Sequence, residues 1–321
     1  LAKSNVAQRK FFVPLQGGFD GVNPAIKKNT GKNITATNQQ GLDCSTSTAS
    51  GSVAYERAIK AVSNADEFDI NLLSTPGLIY NLHPSPINLA QQTVQDRGDA
   101  FYVFDAVAWG DGINSAATYY PWVKLLDDTV NLPIWVPPSV VIPGVIAQND
   151  RVAHEWFAPA GLNRGGLRGV LEAKTRLTHA ERDLLYENRI NPIASFPGQG
   201  VVVFGQKTLQ SKPSALDRIN VRRLLIRLKK FIASSSRYLL FENNTVATRA
   251  RFLNIVNPYL DSVQANQGLT GFRVVMDDSN NTPDVIDRNQ LVGQIYIQPT
   301  RTAEFIYLDF NILPTGATFP A

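Results

Sequence analysis

Strand-length apolar runs alternate with stretches of helical period through the first half of this chain, and that alternation restricts its fold more than any other feature. A helical pattern at Val53–Val62 precedes the apolar run FDINLLS (Phe68–Ser74). A second helical pattern spans Ile87–Asp96, with Pro86 placed to start it, and the run AFYVFDAV (Ala100–Val107) follows. SAATYYPWVKLL (Ser115–Leu126) reads as a further helix, with Pro121 set against it, ahead of a strand at LPIWVPPS (Leu132–Ser139). Strands joined through helices form a parallel or mixed sheet, and the helices cover both of its faces. The expected fold class is α/β.

At 321 residues the chain exceeds what one core usually serves, so two domains are expected. The glycine-dense stretch APAGLNRGGLRG (Ala158–Gly169) is the best boundary. It gives a domain over residues 1–165, with a polar loop near 22–52, and a second domain over 166–321. In the second, THAERDLLYEN (Thr178–Asn188) reads as a helix and VVVFGQ (Val201–Gln206) as a strand. The longest helical signal runs from Ala215 to Ser235, capped by Ser214 and Asp217, and another helix covers Thr245–Gln264. Gly268 and Gly271 lead into strands near FRVVMDD, QLVGQIYIQ and AEFIYLDFNI, so the C-terminal part is α+β, two long helices and a β meander. Mixed sheets flanked by helices are expected in both domains.

Hydrophobic content of 44% with 18% charged residues belongs to an ordered globular chain, and no apolar run is long enough to span a bilayer. LAKSNVAQRKFFV, which opens at Leu1, lacks the apolar core of a secretory signal and reads as the start of a fragment or processed chain. The single cysteine, Cys44, cannot form a disulfide within the chain.

Chemical motifs are thin. GQGVVVFGQKT (Gly198–Thr208) spaces Gly200 and Gly205 like a phosphate-binding loop, but Gln206 stands where the lysine is needed and Val201–Phe204 favours a strand. HEWFA begins like a zinc-protease helix, yet Ala158 occupies the place of its second histidine. His83, His154 and His179 are scattered, with no further ligand at metal spacing. Arg97–Asp99 spells RGD in a polar turn, and the acidic stretch Met276–Asp287 lacks the residue order of a calcium loop. No catalytic, metal-binding or cofactor-binding residue is assigned, and no cofactor is expected.

One charged feature stands above background. Arg218, Arg222, Arg223, Arg227, Lys229 and Lys230 are six basic residues within thirteen positions of the longest helix. Its apolar stripe is Val221, Leu224, Leu225, Leu228, Phe231 and Ile232. Three readings stay open: a solvated face, a phosphate-binding surface for nucleic acid, or contact with an acidic protein. No aromatic residues interleave the cations as a single-strand binder would require. The net charge of +4 permits an acidic partner without demanding one.

Several stretches, in order along the chain, resemble one family, the sheath proteins of contractile bacteriophage tails. They are VPLQGGFDG (Val13–Gly21), EFDINLLSTPG (Glu67–Gly77), YYPWV (Tyr119–Val123), VPPSVVIPGVIAQND followed by FAPAG (Val136–Gly161), NRINPIASFPGQGVVVFGQKTL (Asn188–Leu209), INVRRLL (Ile219–Leu225) and IDRNQLVGQIYIQPTRTAEFIYLDF (Ile286–Phe310). The resemblance implies a structural protein and no enzyme. Its subunits stack as hexameric rings around a tail tube, hold an extended metastable state, and shorten on a baseplate signal to drive the tube through the host envelope. The implied partners are other sheath subunits, the tube protein and the baseplate, with no nucleic acid and no membrane insertion. The implied place is the virion tail, assembled in the host cytoplasm. A basic nucleic-acid-binding protein and a cryptic hydrolase are the competing readings. On the sheath reading the basic helix is expected to face the tube. The strand Ala303, Glu304, Phe305, Ile306, Tyr307, Leu308, Asp309 and Phe310 is expected to link subunits by strand addition. The family's N-terminal arm precedes VPLQGGFDG, so a chain starting at Leu1 is expected to lack it and to be monomeric by itself.

Overall fold

The computed structural model describes residue 44 and residues 46–80, 83–105, 116–127 and 131–304. Most of the expected polar loop near 22–52 lies outside the described residues. The chain divides into two compact units between Lys230 and Phe231.

The first unit is built on a five-stranded mixed sheet in the order β1 (Leu72–Ile79), β2 (Phe101–Asp105), β3 (Ala116–Tyr120), β7 (Ile190–Phe196), β8 (Gly200–Val203). The first four run parallel and β8 returns antiparallel to β7. The helices α1 (Ser50–Ala61) and α2 (Pro84–Arg97) bury Ile59, Ile87, Ala90 and Val94 against Leu78, Tyr102 and Phe104. On the other face Phe101, Val103, Ala117, Tyr119 and Ile193 meet Ile142, Val145 and Ile146 of α3 (Pro138–Val152) and Ile219 and Ile226 of α5 (Ile219–Ser236). A small antiparallel sheet, β4 (Val123–Asp127) between β5 (Leu132–Val136) and β6 (Val170–Ala173), joins this second core through Val123, Val136 and Ala173. The helix α4 (His179–Glu187) packs on β7 and starts at a capping box between Thr178 and Glu181.

Four expectations are corrected. The boundary at 165/166 falls inside one sheet, because β7, beyond it, pairs with β3, before it. Ser115–Leu126 is not a helix: Ala116–Tyr120 and Val123–Asp127 are strands. Ala117, Thr118 and Tyr119 are all buried, and a central strand of that kind shows no period of two to read. The strand at Leu132 ends at Val136, since Pro138 occupies the first turn of α3, where its missing N–H costs nothing. The helix expected from Ala215 is interrupted. Ser214 caps a single 3-10 turn, Ala215–Asp217, Arg218 is extended, and α5 begins at Ile219.

The second unit packs α6 (Val246–Ala265) on β9 (Leu269–Val275), which pairs antiparallel with β10 (Gln294–Pro299). Among the described residues, Leu239, Phe252, Val256, Leu260, Val263, Leu269 and Met276 are its buried apolar residues. A short helix, α7 (Pro283–Asp287), lies between the strands in sequence. Thr245 caps α6 by accepting from the Thr248 amide at 3.3 Å. The third strand of the expected meander, from Phe305 onward, lies outside the described residues.

Gly165 tests the first unit's packing. A Cβ there would stand 2.6 Å from the Val203 carbonyl oxygen and 2.8 Å from both Ala160 Cα and Gly161 N, all backbone atoms. Gly165→Ala should therefore destabilise the chain by about 1–3 kcal/mol in chemical denaturation.

Candidate functional site

The six cations, five on α5 and Arg218 just ahead of it, do not share one exposed surface. Coverage of this helix on more than one side explains why: besides Val221, Leu224 and Leu228 of the expected stripe, Ile219 and Ile226 are buried, while Leu225, Phe231 and Ile232 are half-buried. Arg223 is drawn inside with its apolar neighbours, 5% exposed, and forms a two-pronged ion pair with Asp150 of α3. Nη1 donates to Oδ1 at 2.6 Å and Nη2 to Oδ2 at 2.5 Å. Nη1 also donates to the Glu155 carbonyl at 3.3 Å. Asp150 lies in the last turn of α3, where the helix dipole disfavours a carboxylate, and the buried guanidinium offsets that.

Lys230 is likewise committed. Its ammonium donates to Asp69 Oδ1 at 2.5 Å, Asn71 Oδ1 at 2.5 Å and the Ile70 carbonyl at 2.9 Å. That contact holds the Asp69 carboxyl below the usual range. Arg222 donates to Gln210 Oε1 at 2.8 Å, and burial lowers its pKa. Arg218 pairs with Asp217 at 3.0 Å. Of the six, only Arg227, 3.9 Å from Glu155, and Lys229 are exposed. The structure thus leaves two of the six cations as an exposed surface and spends most of the others inside the first unit. The RGD triplet is spent in the same way: Arg97 pairs with Asp99 at 2.9 Å and donates to the carbonyls of Val62 and Phe68, both at 2.7 Å.

One buried carboxylate was not singled out in the sequence. Helix α3 begins Pro137-Pro138, so it has no side-chain cap of its own, and Ser139 carries the first free N–H. Asp105, at the end of β2, supplies the acceptor: Ser139 N donates to it at 3.0 Å, Ser139 Oγ at 2.6 Å and Gly77 N at 3.3 Å. Burial nevertheless dominates and pushes its carboxyl up to about 6.

The histidines are apart. His83 is buried and accepts from the Ile79 amide at 3.2 Å, burial lowering its pKa. His154 stacks on Trp156, and exposed His179 pairs with Asp183 at 2.8 Å. Among the described residues no three His, Cys, Asp or Glu side chains gather as a metal would need, and no helix is long and apolar enough to cross a membrane. Gly200 opens β8 and Val201–Val203 pair with β7, so GQGVVVFGQKT contributes a strand. Of the expected linking strand, Ala303 and Glu304 are described and lie in no regular element, while Phe305–Phe310 lie outside the described residues.

Two family models match, the phage tail sheath protein central domain over residues 88–209 and the phage tail sheath C-terminal domain over 211–313. The chain belongs to the phage tail sheath family. The tail sheath proteins of Vibrio phage KVP40 and Enterobacteria phage T4 are each 45% identical over 185 residues, 58% of this chain and 28% of theirs. That of Salmonella phage ViI is 35% identical over 210 residues, 64% of this chain and 33% of its own. The sheath chain thus spans a third or less of the length of these curated relatives. The helical sheath of the anti-feeding prophage in its contracted state is similar in structure, with TM-score 0.67 and 27% identity over 79% of this chain and 73% of that one. The PVC sheath complex of an extracellular contractile injection system, also contracted, gives 0.65 and 28% over 79% and 74%. The strand pairing that corrects the boundary at 165 crosses no gap between the two models, since residues 88–209 hold both β3 and β7.

Two experiments probe this site. Asp150→Ala leaves the Arg223 guanidinium buried without its carboxylate and should cost about 3 kcal/mol in denaturant unfolding, whereas Arg227→Ala should cost less than about 1 kcal/mol. For Asp105, the folded pKa of about 6 lies above the ordinary carboxyl value of 3.8, so the folded state binds the proton more tightly and stability from this group is lost as pH rises through 6. Wild type should therefore gain about 2–3 kcal/mol relative to Asp105→Asn as pH falls from about 7 to about 4. A relative loss on acidification would show that the three hydrogen bonds outweigh burial.

Proposed function

We propose that the chain is a structural subunit of a contractile tail sheath, which polymerises with other copies around a tail tube and shortens to drive the tube through the host envelope. The observation that supports this most is the paired match to the sheath central and C-terminal domain models, together with a fold shared with contracted sheaths. In this reading the sheath is built of stacked hexameric rings, engages a baseplate, and is part of a phage tail assembled in the host cytoplasm. The energy of contraction is held in the assembly, and no chemical step is assigned to any residue. The C-terminal stretch from Ala303 to Phe310 supplies a strand to a neighbouring subunit.

The tube-facing role expected of the basic helix narrows to Arg227 and Lys229. These cations project from α5, whereas Arg222, Arg223 and Lys230 serve the subunit's own packing. An exposed ion pair contributes about 0–1 kcal/mol, so contact with an acidic tube would depend on repetition along the sheath and each pair would remain breakable during contraction. Spending most of the cations internally also disfavours a nucleic-acid surface, which needs several free charges to displace counterions.

Arg227→Glu with Lys229→Glu in the full-length protein should leave monomer melting unchanged and reduce co-sedimentation with tubes, most strongly at low salt. Normal yields of sheathed tubes would remove the tube-facing assignment and leave the sheath reading to be judged on polymer formation.

A further inference from the structure

The segment leading from α5 into α6 is built firmly and yet presents its largest apolar side chains to solvent. Arg237–Leu239 forms one 3-10 turn, with Leu239 buried beneath it. The Leu240 and Glu242 amides donate to the Arg237 and Leu239 carbonyls, each at 3.3 Å. The Asn244 side chain donates through Nδ2 to the Gln290 carbonyl at 2.9 Å. On this frame Tyr238 is 83% exposed, Leu240 66% and Phe241 105%, and Val246, opening α6, is 69% exposed. Phe241 also has φ +68, the left-handed region that a bulky side chain seldom adopts. The chain thus bears two costs at one residue, a disfavoured backbone and a fully hydrated aromatic ring. No contact among the described residues offsets either, and such an outlier points to a function outside the subunit.

We propose that Tyr238, Leu240 and Phe241 form a knob that inserts into an apolar recess on a second copy of this chain. The inference rests on the sheath reading above, and two physical arguments select a copy as the occupant. The first is area. Three side chains of this size present on the order of 400 Å², about half of what one partner contributes to a stable dimer, on the order of 800 Å². Such a contact is too small to hold two free subunits together, but becomes effective when each subunit repeats it along a polymer. The second is shape. A convex knob does not complement another knob across a two-fold axis, so knob and recess occupy different surfaces of the subunit. Head-to-tail contacts of that kind extend into open helical filaments.

The test uses the full-length protein polymerising with and without tubes, read by sedimentation and electron microscopy. Phe241→Gly removes the ring and accepts a positive φ without strain. Its monomer melting temperature should equal or exceed wild type, while the critical concentration for tube-free polymer rises at least tenfold. Tyr238→Ser with Leu240→Ser should raise the critical concentration similarly without altering the left-handed residue, and it decides the matter if Phe241→Gly melts early. Unchanged critical concentrations in both variants would overturn the proposal. So would variants that polymerise normally alone but fail to sheathe tubes, since the knob would then belong to the tube contact. A wild-type protein that forms no polymer in either condition would overturn the sheath reading, and this inference with it.

Discussion

All five residues of β2, Phe101 to Asp105, are buried, so the rest of the first unit has to cover this strand from both sides. Phe101 and Val103 direct one core toward α3 and α5, and Tyr102 and Phe104 direct the other toward α1 and α2. The Tyr102 hydroxyl is satisfied in that second core by Thr75 at 2.6 Å. Asp105 is the next residue on the α3 side, and it meets a helix start whose proline pair leaves an N–H in need of an acceptor. From there the polar ties close a circuit. Asp105 fixes the start of α3, Asp150 fixes its end to Arg223 of α5, and Lys230 returns α5 to Asp69–Asn71, which leads directly into β1 beside β2.

That circuit gives the cations of α5 a different meaning from the one their spacing suggests. A buried guanidinium held by two short hydrogen bonds to a half-buried carboxylate is a joint between helices, and breaking it costs more than an exposed pair contributes. In the proposed sheath role the first unit would then move as a body whose internal ties persist, while exchange of partners falls to exposed groups such as Arg227, Lys229 and the Tyr238–Phe241 loop. The division separates lasting contacts inside the subunit from weak, repeated ones between subunits.

The α/β alternation was legible because α1, α2 and α6 carry clear helical periods and FYVFD is an unbroken apolar run between polar bends. The pairing of β3 with β7 was not, because register across a long connection leaves no local trace, and the glycine-rich stretch between them resembles a linker although it is pinned to β8. There the Gly165 carbonyl accepts from Val203, and Leu167 donates to Val201, at 2.8 and 2.9 Å. The basic residues were found, but helical spacing alone could not tell Arg223 from Arg227. Their fates differ because Asp150, 73 positions away in sequence from Arg223, arrives at one and not the other. Phe241 left no signal, since its character lies in a backbone angle and an exposure that composition does not encode. The family resemblance, carried by whole segments in order, reached what local pattern could not.

Electron microscopy of the full-length protein, concentrated in the absence and presence of tail tubes, decides whether the chain builds a contractile sheath. A sheath subunit should give cross-striated tubes of uniform diameter that enclose the tail tube when it is supplied. Isolated globular particles, or filaments that ignore the tube and show no regular striation, would contradict the sheath reading.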